Sequence, residues 1–202
     1  MSKWTVIAAS AAIAIGVGAG AVYLLDPFSQ KTCGSAVVAG GKAAIGGPFT
    51  LVNHKGETVT DKDIITGPTL IYFGYTFCPD VCPLDTARNA EAIDILEAKG
   101  VDVLPVFISI DPERDDPQAL ADFVEGVHPR MIGLTGTKEQ VKAASKAYKT
   151  YFRKNGEGED YLMDHSTFAY LMGPDGLWEF FKRNQTPEEV ANVIACFVDQ
   201  KS

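Results

Sequence analysis

With 202 residues, 46% of them hydrophobic, the chain can hold one medium domain plus an accessory segment but hardly two full cores, and its four cysteines are too few for a disulfide framework. A net charge of −8 and the lack of any lysine or arginine run exclude a nucleic-acid surface, which needs positive charge. The glycine-rich "AVVAGGKAAIGG" lacks the lysine–hydroxyl ending of a phosphate loop and reads as a tether.

The chain begins with a membrane signal. From Thr5 to Leu25 there are 21 residues without a charge. As a helix at ~1.5 Å per residue they would span roughly 30 Å, the thickness of a hydrocarbon core. Trp4 and Tyr23 lie near the two ends, Lys3 precedes the span and Asp26 follows it. The positive-inside bias puts the amino end in the cytoplasm and the remainder outside. The apolar run is longer than a signal-peptide core of about 7–15 residues, and no A-x-A site ends it. "SQKTC" is a poor lipoprotein site, and a mitochondrial transit peptide would be rich in arginine and serine. An uncleaved single-pass anchor over residues 1–25 in a bacterial inner membrane, a flexible tether over 26–47 and a periplasmic domain over 48–202 are therefore expected.

In the domain, "PFTLVNHKGETVT" predicts two short strands with glycine at the turn. "PTLIYFGYTF" is a nearly continuous apolar run, as for a strand buried on both faces. It leads into "CPDVCP", after which residues 83–100 have helical spacing, with Gly100 placed to stop the helix. "VDVLPVFISI" predicts the next strand. "DPERDDPQALADFVEG" predicts a loop and a helix capped by Asp116 with Pro117 in its first turn. "TKEQVKAASKAYKTYF" predicts a helix over 137–152, and "STFAYLM" with "LWEFF" a hairpin about "GPDG". A closing helix starts at Thr186 and Pro187. A parallel pair with a crossover and an added antiparallel hairpin give an α/β thioredoxin-like sandwich, with an N-terminal hairpin and preceded by a single transmembrane helix.

Cys78 and Cys82 stand four apart. If a helix starts at Cys78, its positive end favours the thiolate, and Cys82 faces the same side one turn later. That spacing, roughly 6 Å between Cα atoms, serves a disulfide and a shared metal equally well. Downstream, no proline occurs between Pro129 and Pro174, where a thioredoxin-type oxidoreductase presents one to its cysteines, and His165 stands there instead. Two thiolates and an imidazole are a soft donor set suited to copper. Met163 is read as a core methionine, Asp164 as an orienting or solvated carboxylate, and Asp111 and Asp115 as organisers of their loop. His54 and His128 are read as loop residues and Cys196 as a buried structural thiol. A Cys33–Cys196 bridge is not expected.

Taken in order, "LIYFGYTFCPDVCP", "VLPVFISIDPERDDP", "HPRMIGLTGT", "AYKTYF" and "DYLMDHSTFAYLMGPDG" resemble the signature blocks of the SCO/SenC family over about residues 48–195. The resemblance implies a membrane-tethered, thioredoxin-fold copper protein, not a turnover enzyme. Such a protein would help assemble the copper centre of cytochrome c oxidase subunit II, or prepare a related copper protein. It places the ligands of Cu(I), with Cu(II) as a second state, on Cys78, Cys82 and His165, and implies an upstream periplasmic copper donor. Because Cys78 and Cys82 are also a redox-capable pair, a membrane-anchored thiol–disulfide oxidoreductase is the alternative, and a redox or copper sensor a third reading.

Overall fold

The computed structural model describes residues 33–34 and 41–201. The expected anchor at residues 5–25 lies outside them, and among the described residues no helix is long and apolar enough to cross a membrane. The fold is built on β3 (Thr69–Gly74), in which every residue is buried, as the unbroken apolar run predicts. Chain order supplies β1 (Thr50–Asn53), β2 (Thr58–Thr60), a one-turn α1 (Asp61–Ile64) and β3. Then come α2 (Val81–Ala98), β4 (Leu104–Ser109), α3 (Pro117–Val127), β5 (Ile132–Thr135) and α4 (Lys138–Ala147). The last elements are β6 (Phe152–Asn155), β7 (Leu162–His165), β8 (Ala169–Gly173), β9 (Gly176–Phe181) and α5 (Pro187–Lys201).

Seven strands form one sheet in the order β2-β1-β5-β4-β3-β8-β9. β3 and β4 run parallel in the register Thr69↔Leu104 to Gly74↔Ser109, and β8 lies antiparallel on the other side of β3. The expected parallel pair and both expected hairpins are present. The sheet is wider than expected because β5, in "HPRMIGLTGT", adds a third parallel strand. At four residues it is short, and Gly133 interrupts its apolar pattern. That glycine is where α3 packs on the strand: a Cβ would stand 3.1 Å from both Leu120 Cβ and Val124 Cγ1.

The helix ends follow their capping residues. The Asp116 carboxylate accepts from the Ala119 amide at 2.8 Å, with Pro117 in the first turn. Thr137 and Gln140 form a reciprocal capping box, as do Thr186 and Glu189. Gly100, at φ +74°, closes α2 by donating to the Glu97 carbonyl.

Two expectations need correction. The helix expected to run to Phe152 stops at Ala147. Tyr148 turns inward, fully buried among Phe49, Phe73 and Tyr170, and Lys149 takes a left-handed φ of +55°. The strand-favouring Thr150, Tyr151 and Phe152 then lead into β6, which pairs with β7 as a separate two-stranded sheet. The second correction is that Cys33 is bridged to Cys196 in α5. Within the stretch expected as a tether, a 3₁₀ turn at Lys42–Ala44 also packs on β9, and the Gly46 amide donates to the Ala147 carbonyl at 3.0 Å. Cys196 is thus structural, as expected, but as half of a disulfide and not as a thiol. The 163-residue separation hides the pairing from any local reading.

Candidate metal centre

The centre sits at the carboxyl end of β3, where open α/β sheets place their sites. β3 ends at Gly74, and a Cβ there would stand 3.0 Å from Cys82 Sγ and 2.9 Å from the Phe107 ring, so only glycine lets the strand pass beneath the thiol. The chain then turns, with the Cys78 amide donating to the Tyr75 carbonyl at 3.3 Å. The helix starts at Val81 rather than at Cys78, with Asp80 at its N-cap. Cys78 lies in the turn ahead of the helix and Cys82 in its first turn. The positive end of the helix still reaches Cys78, because a first-turn amide, that of Cys82, donates to Cys78 Sγ at 3.4 Å.

His165 arrives from the other side, as the last residue of β7. Its Nε2 is 3.4 Å from Cys82 Sγ, and its Nδ1 is 2.8 Å from the Ser166 carbonyl. A carbonyl can only accept, so Nδ1 carries the hydrogen, and in the neutral ring Nε2 turns its lone pair to the sulfurs. Tyr75 and Tyr72 stand edge-on to the imidazole, with ring centres 5.9 and 6.3 Å away. The donor atoms of Cys78, Cys82 and His165 all lie within 4.8 Å of one another. Hairpin and cysteine turn therefore bring His165 to two cysteines more than eighty positions before it.

The two thiols differ electrically. The hydrogen bond from Cys82, aided by His165 and the amides of Asp80 and Cys82, holds the Cys78 thiol far below the ordinary range despite burial. The same hydrogen bond to Cys78, together with burial, pushes Cys82 far up. The reduced pair therefore ionises as a Cys78 thiolate beside a Cys82 thiol. Tyr72, fully protonated through burial and its neighbours, donates to the buried Asp85 at 3.0 Å behind this pair.

Other candidates take different places. Met163 is half-buried against the core, as expected. Asp164 does not orient His165: its carboxylate is held by Arg153 at 3.0 Å and Asn155 at 3.2 Å, and the Ser166 carbonyl does the orienting. Asp115 organises its loop and more, accepting from the hydroxyls of Ser109 and Thr76 at 2.6 Å each and from the Thr76 amide at 3.0 Å. Asp111 accepts from Arg114 Nε and the Tyr161 hydroxyl, also at 2.6 Å each. His54 joins β1 to β5, its Nδ1 accepting from the Gly133 amide. His128 is buried near Asp94 and Glu97, the other cluster of metal-ligand type among the described residues. Its Nδ1 accepts from the Arg130 amide, so Nε2 carries the hydrogen toward those acids and the cluster is a structural contact. Sequence reasoning does not find Ser166, Tyr72 or Tyr75. The tyrosines stand in the apolar run as ordinary strand aromatics, and a backbone carbonyl has no sequence signature.

The family model described as SCO1/SenC matches residues 38–199. Protein SenC of Rhodobacter capsulatus is 49% identical, over 98% of this chain and 91% of its own length. The chain belongs to the SCO1/SenC family. Longer mitochondrial and yeast SCO1 relatives also match, and the chain spans 53% to 62% of their length. Among solved structures, Arabidopsis thaliana ScoI with copper bound superposes with a TM-score of 0.73 at 43% identity, covering 77% of this chain and 99% of that one. BsSco, described as having a disulfide switch and as a member of the Sco family of cytochrome c oxidase assembly proteins, gives 0.62 at 26% identity, over 77% and 95%. The fold is the mixed α/β, thioredoxin-like fold of the Sco structures.

The residues present fit copper. Two sulfurs and one imidazole nitrogen suit Cu(I), and among the described residues no carboxylate joins the cluster to favour Mg or Ca.

Proposed function

We propose that this chain binds copper on Cys78, Cys82 and His165 and passes it to the copper centre of cytochrome c oxidase subunit II, or prepares that centre. The observation that carries this reading is the His165 Nε2 lone pair turned to Cys82 Sγ at 3.4 Å, with Nδ1 tied back to Ser166. A thiol pair working as an oxidoreductase needs no such third donor. Bound there, copper is cargo: three protein donors leave it room for a partner's ligand, so it can move by exchange without release. Both sulfurs must be deprotonated to hold the metal, and the Cys82 thiol is pushed up by its hydrogen bond to Cys78 and by burial, so loading releases protons and acid weakens binding.

The domain, which takes in Cys33 and the 3₁₀ turn at Lys42–Ala44, is proposed to face the periplasm, held by the anchor at residues 5–25, with a periplasmic donor upstream. The Cys33–Cys196 disulfide supports an oxidising compartment. The test is transfer: copper-loaded protein is mixed with the reduced, copper-free domain of subunit II, and metal is followed to the acceptor. Copper staying wholly on the donor would count against delivery.

One observation favours a second reading. A Cys78 thiolate with Cys82 as its buried neighbour is also the arrangement of a dithiol reductant. Cys78 would attack a disulfide of the copper protein to give a mixed disulfide. Cys82 would resolve it, leaving the partner reduced and this pair oxidised. Reduction of that partner by the His165→Ala variant at the wild-type rate would support it.

A further inference from the structure

The loop between β4 and α3 touches both halves of the candidate centre, and the contacts meet at Arg114. Its guanidinium carbon lies 3.6 Å from the Tyr161 ring centre, 4.8 Å from that of Phe77 and 5.7 Å from that of Tyr75. Nε donates to Asp111, which also takes the Tyr161 hydroxyl, and Nη1 donates to the Glu159 carbonyl at 3.1 Å. Tyr75 and Phe77 belong to the turn that carries Cys78. Glu159 and Tyr161 lead into β7, which ends at His165.

The hairpin needs such a hold. Its strands are four residues each, form a sheet of their own, and are mostly exposed or half-buried. An isolated two-stranded ribbon is marginal in water. Arg114, by contrast, is nearly out of solvent at 13% side-chain exposure. A planar cation lying on aromatic faces and forked to a carboxylate and a carbonyl is a role that lysine fills poorly.

We infer that Arg114 is a positioning residue that clamps the histidine hairpin onto the cysteine turn and so sets the distance from His165 Nε2 to the two sulfurs. Its purpose rests on the reading of Cys78, Cys82 and His165 as a copper site. Asp115 holds the turn from the same loop through Thr76, so one loop braces the thiols and the imidazole together.

The test uses full-length, reduced, copper-free protein in two measurements. In hydrogen exchange, Arg114→Ala speeds the amides of β6 and β7 by about tenfold or more and leaves β3 and β4 unchanged, with Arg114→Lys restoring little. In competition titrations with Cu(I), Arg114→Ala weakens binding about tenfold in the wild-type background but adds nothing to His165→Ala. Arg114→Gln takes its place in both measurements if the alanine variant does not fold. Unchanged hairpin exchange overturns the clamp. An equal loss of affinity with and without His165 does so too, since that marks general destabilisation. Failure of the wild-type protein to bind copper overturns the copper reading, and with it the clamp's purpose, while the exchange result still decides whether the clamp exists.

Discussion

Cys78 and Cys82 are chemically unequal although the sequence writes them alike. The Cys78 thiol is held far below its ordinary range and keeps 9% of its surface exposed, whereas the Cys82 thiol is pushed far up and is fully buried. Alkylation of reduced, copper-free protein by iodoacetamide is therefore expected at Cys78 first, with Cys82 at least about tenfold slower. A thiol with a lowered pKa stays thiolate as pH falls below the ordinary value of about 8.5, so the Cys78 rate should hold through pH 6. Peptide mapping by mass spectrometry reads this directly, and equal rates that decline together below pH 8 would refute the asymmetry. The ligand types are legible in the sequence because thiols and a histidine carry their chemistry in their names. The asymmetry is not, since it arises from a buried neighbour, one imidazole and two amides that only folding assembles.

At the scale of elements, the legible boundaries are those with local chemistry. Asp116 with Pro117, Thr137 with Gln140 and Gly100 each mark a helix end through a short-range hydrogen bond or a required φ. The illegible ones depend on distant packing: Tyr148 leaves its helix for an aromatic cluster made by Phe49 just before β1, Phe73 of β3 and Tyr170 of β8. The residues after Tyr148 become the hairpin that carries His165, so the element most important to the site is the one least written into the sequence. The docking of α5 gives a separate prediction. Asp175, in the β8–β9 turn, pairs with Lys201 of α5 and accepts from the Trp178 indole, and these hydrogen bonds lower its pKa below the ordinary 3.8. A carboxylate with a folded pKa below its unfolded value stabilises the fold above the unfolded value and loses that contribution as pH falls through the folded one. Asp175→Asn should thus lower Tm at pH 7 and flatten its decline below about pH 4. A variant whose Tm runs parallel to wild type through the acid limb would contradict this.

For the whole molecule, the Cys33–Cys196 disulfide ties the start of the described chain to its last helix across 163 residues. A loop of that length restricts the unfolded chain strongly, and removing such a bridge costs about 2–5 kcal/mol. The paired Cys33→Ser and Cys196→Ser variant should melt several degrees lower in a thermal scan yet bind copper as tightly as wild type, because neither residue supplies a donor to the cluster of Cys78, Cys82 and His165. Loss of copper binding with Tm unchanged would reverse the assignment of roles between the two cysteine pairs. At this scale the central proposal is that His165 completes a copper site that the two thiols begin. The direct measurement is a Cu(I) titration of reduced protein against a competing chelator, with wild type and His165→Ala side by side. The expected result is one copper per wild-type chain and an affinity lower by about tenfold or more in the variant. Equal affinity in the two proteins would contradict the account.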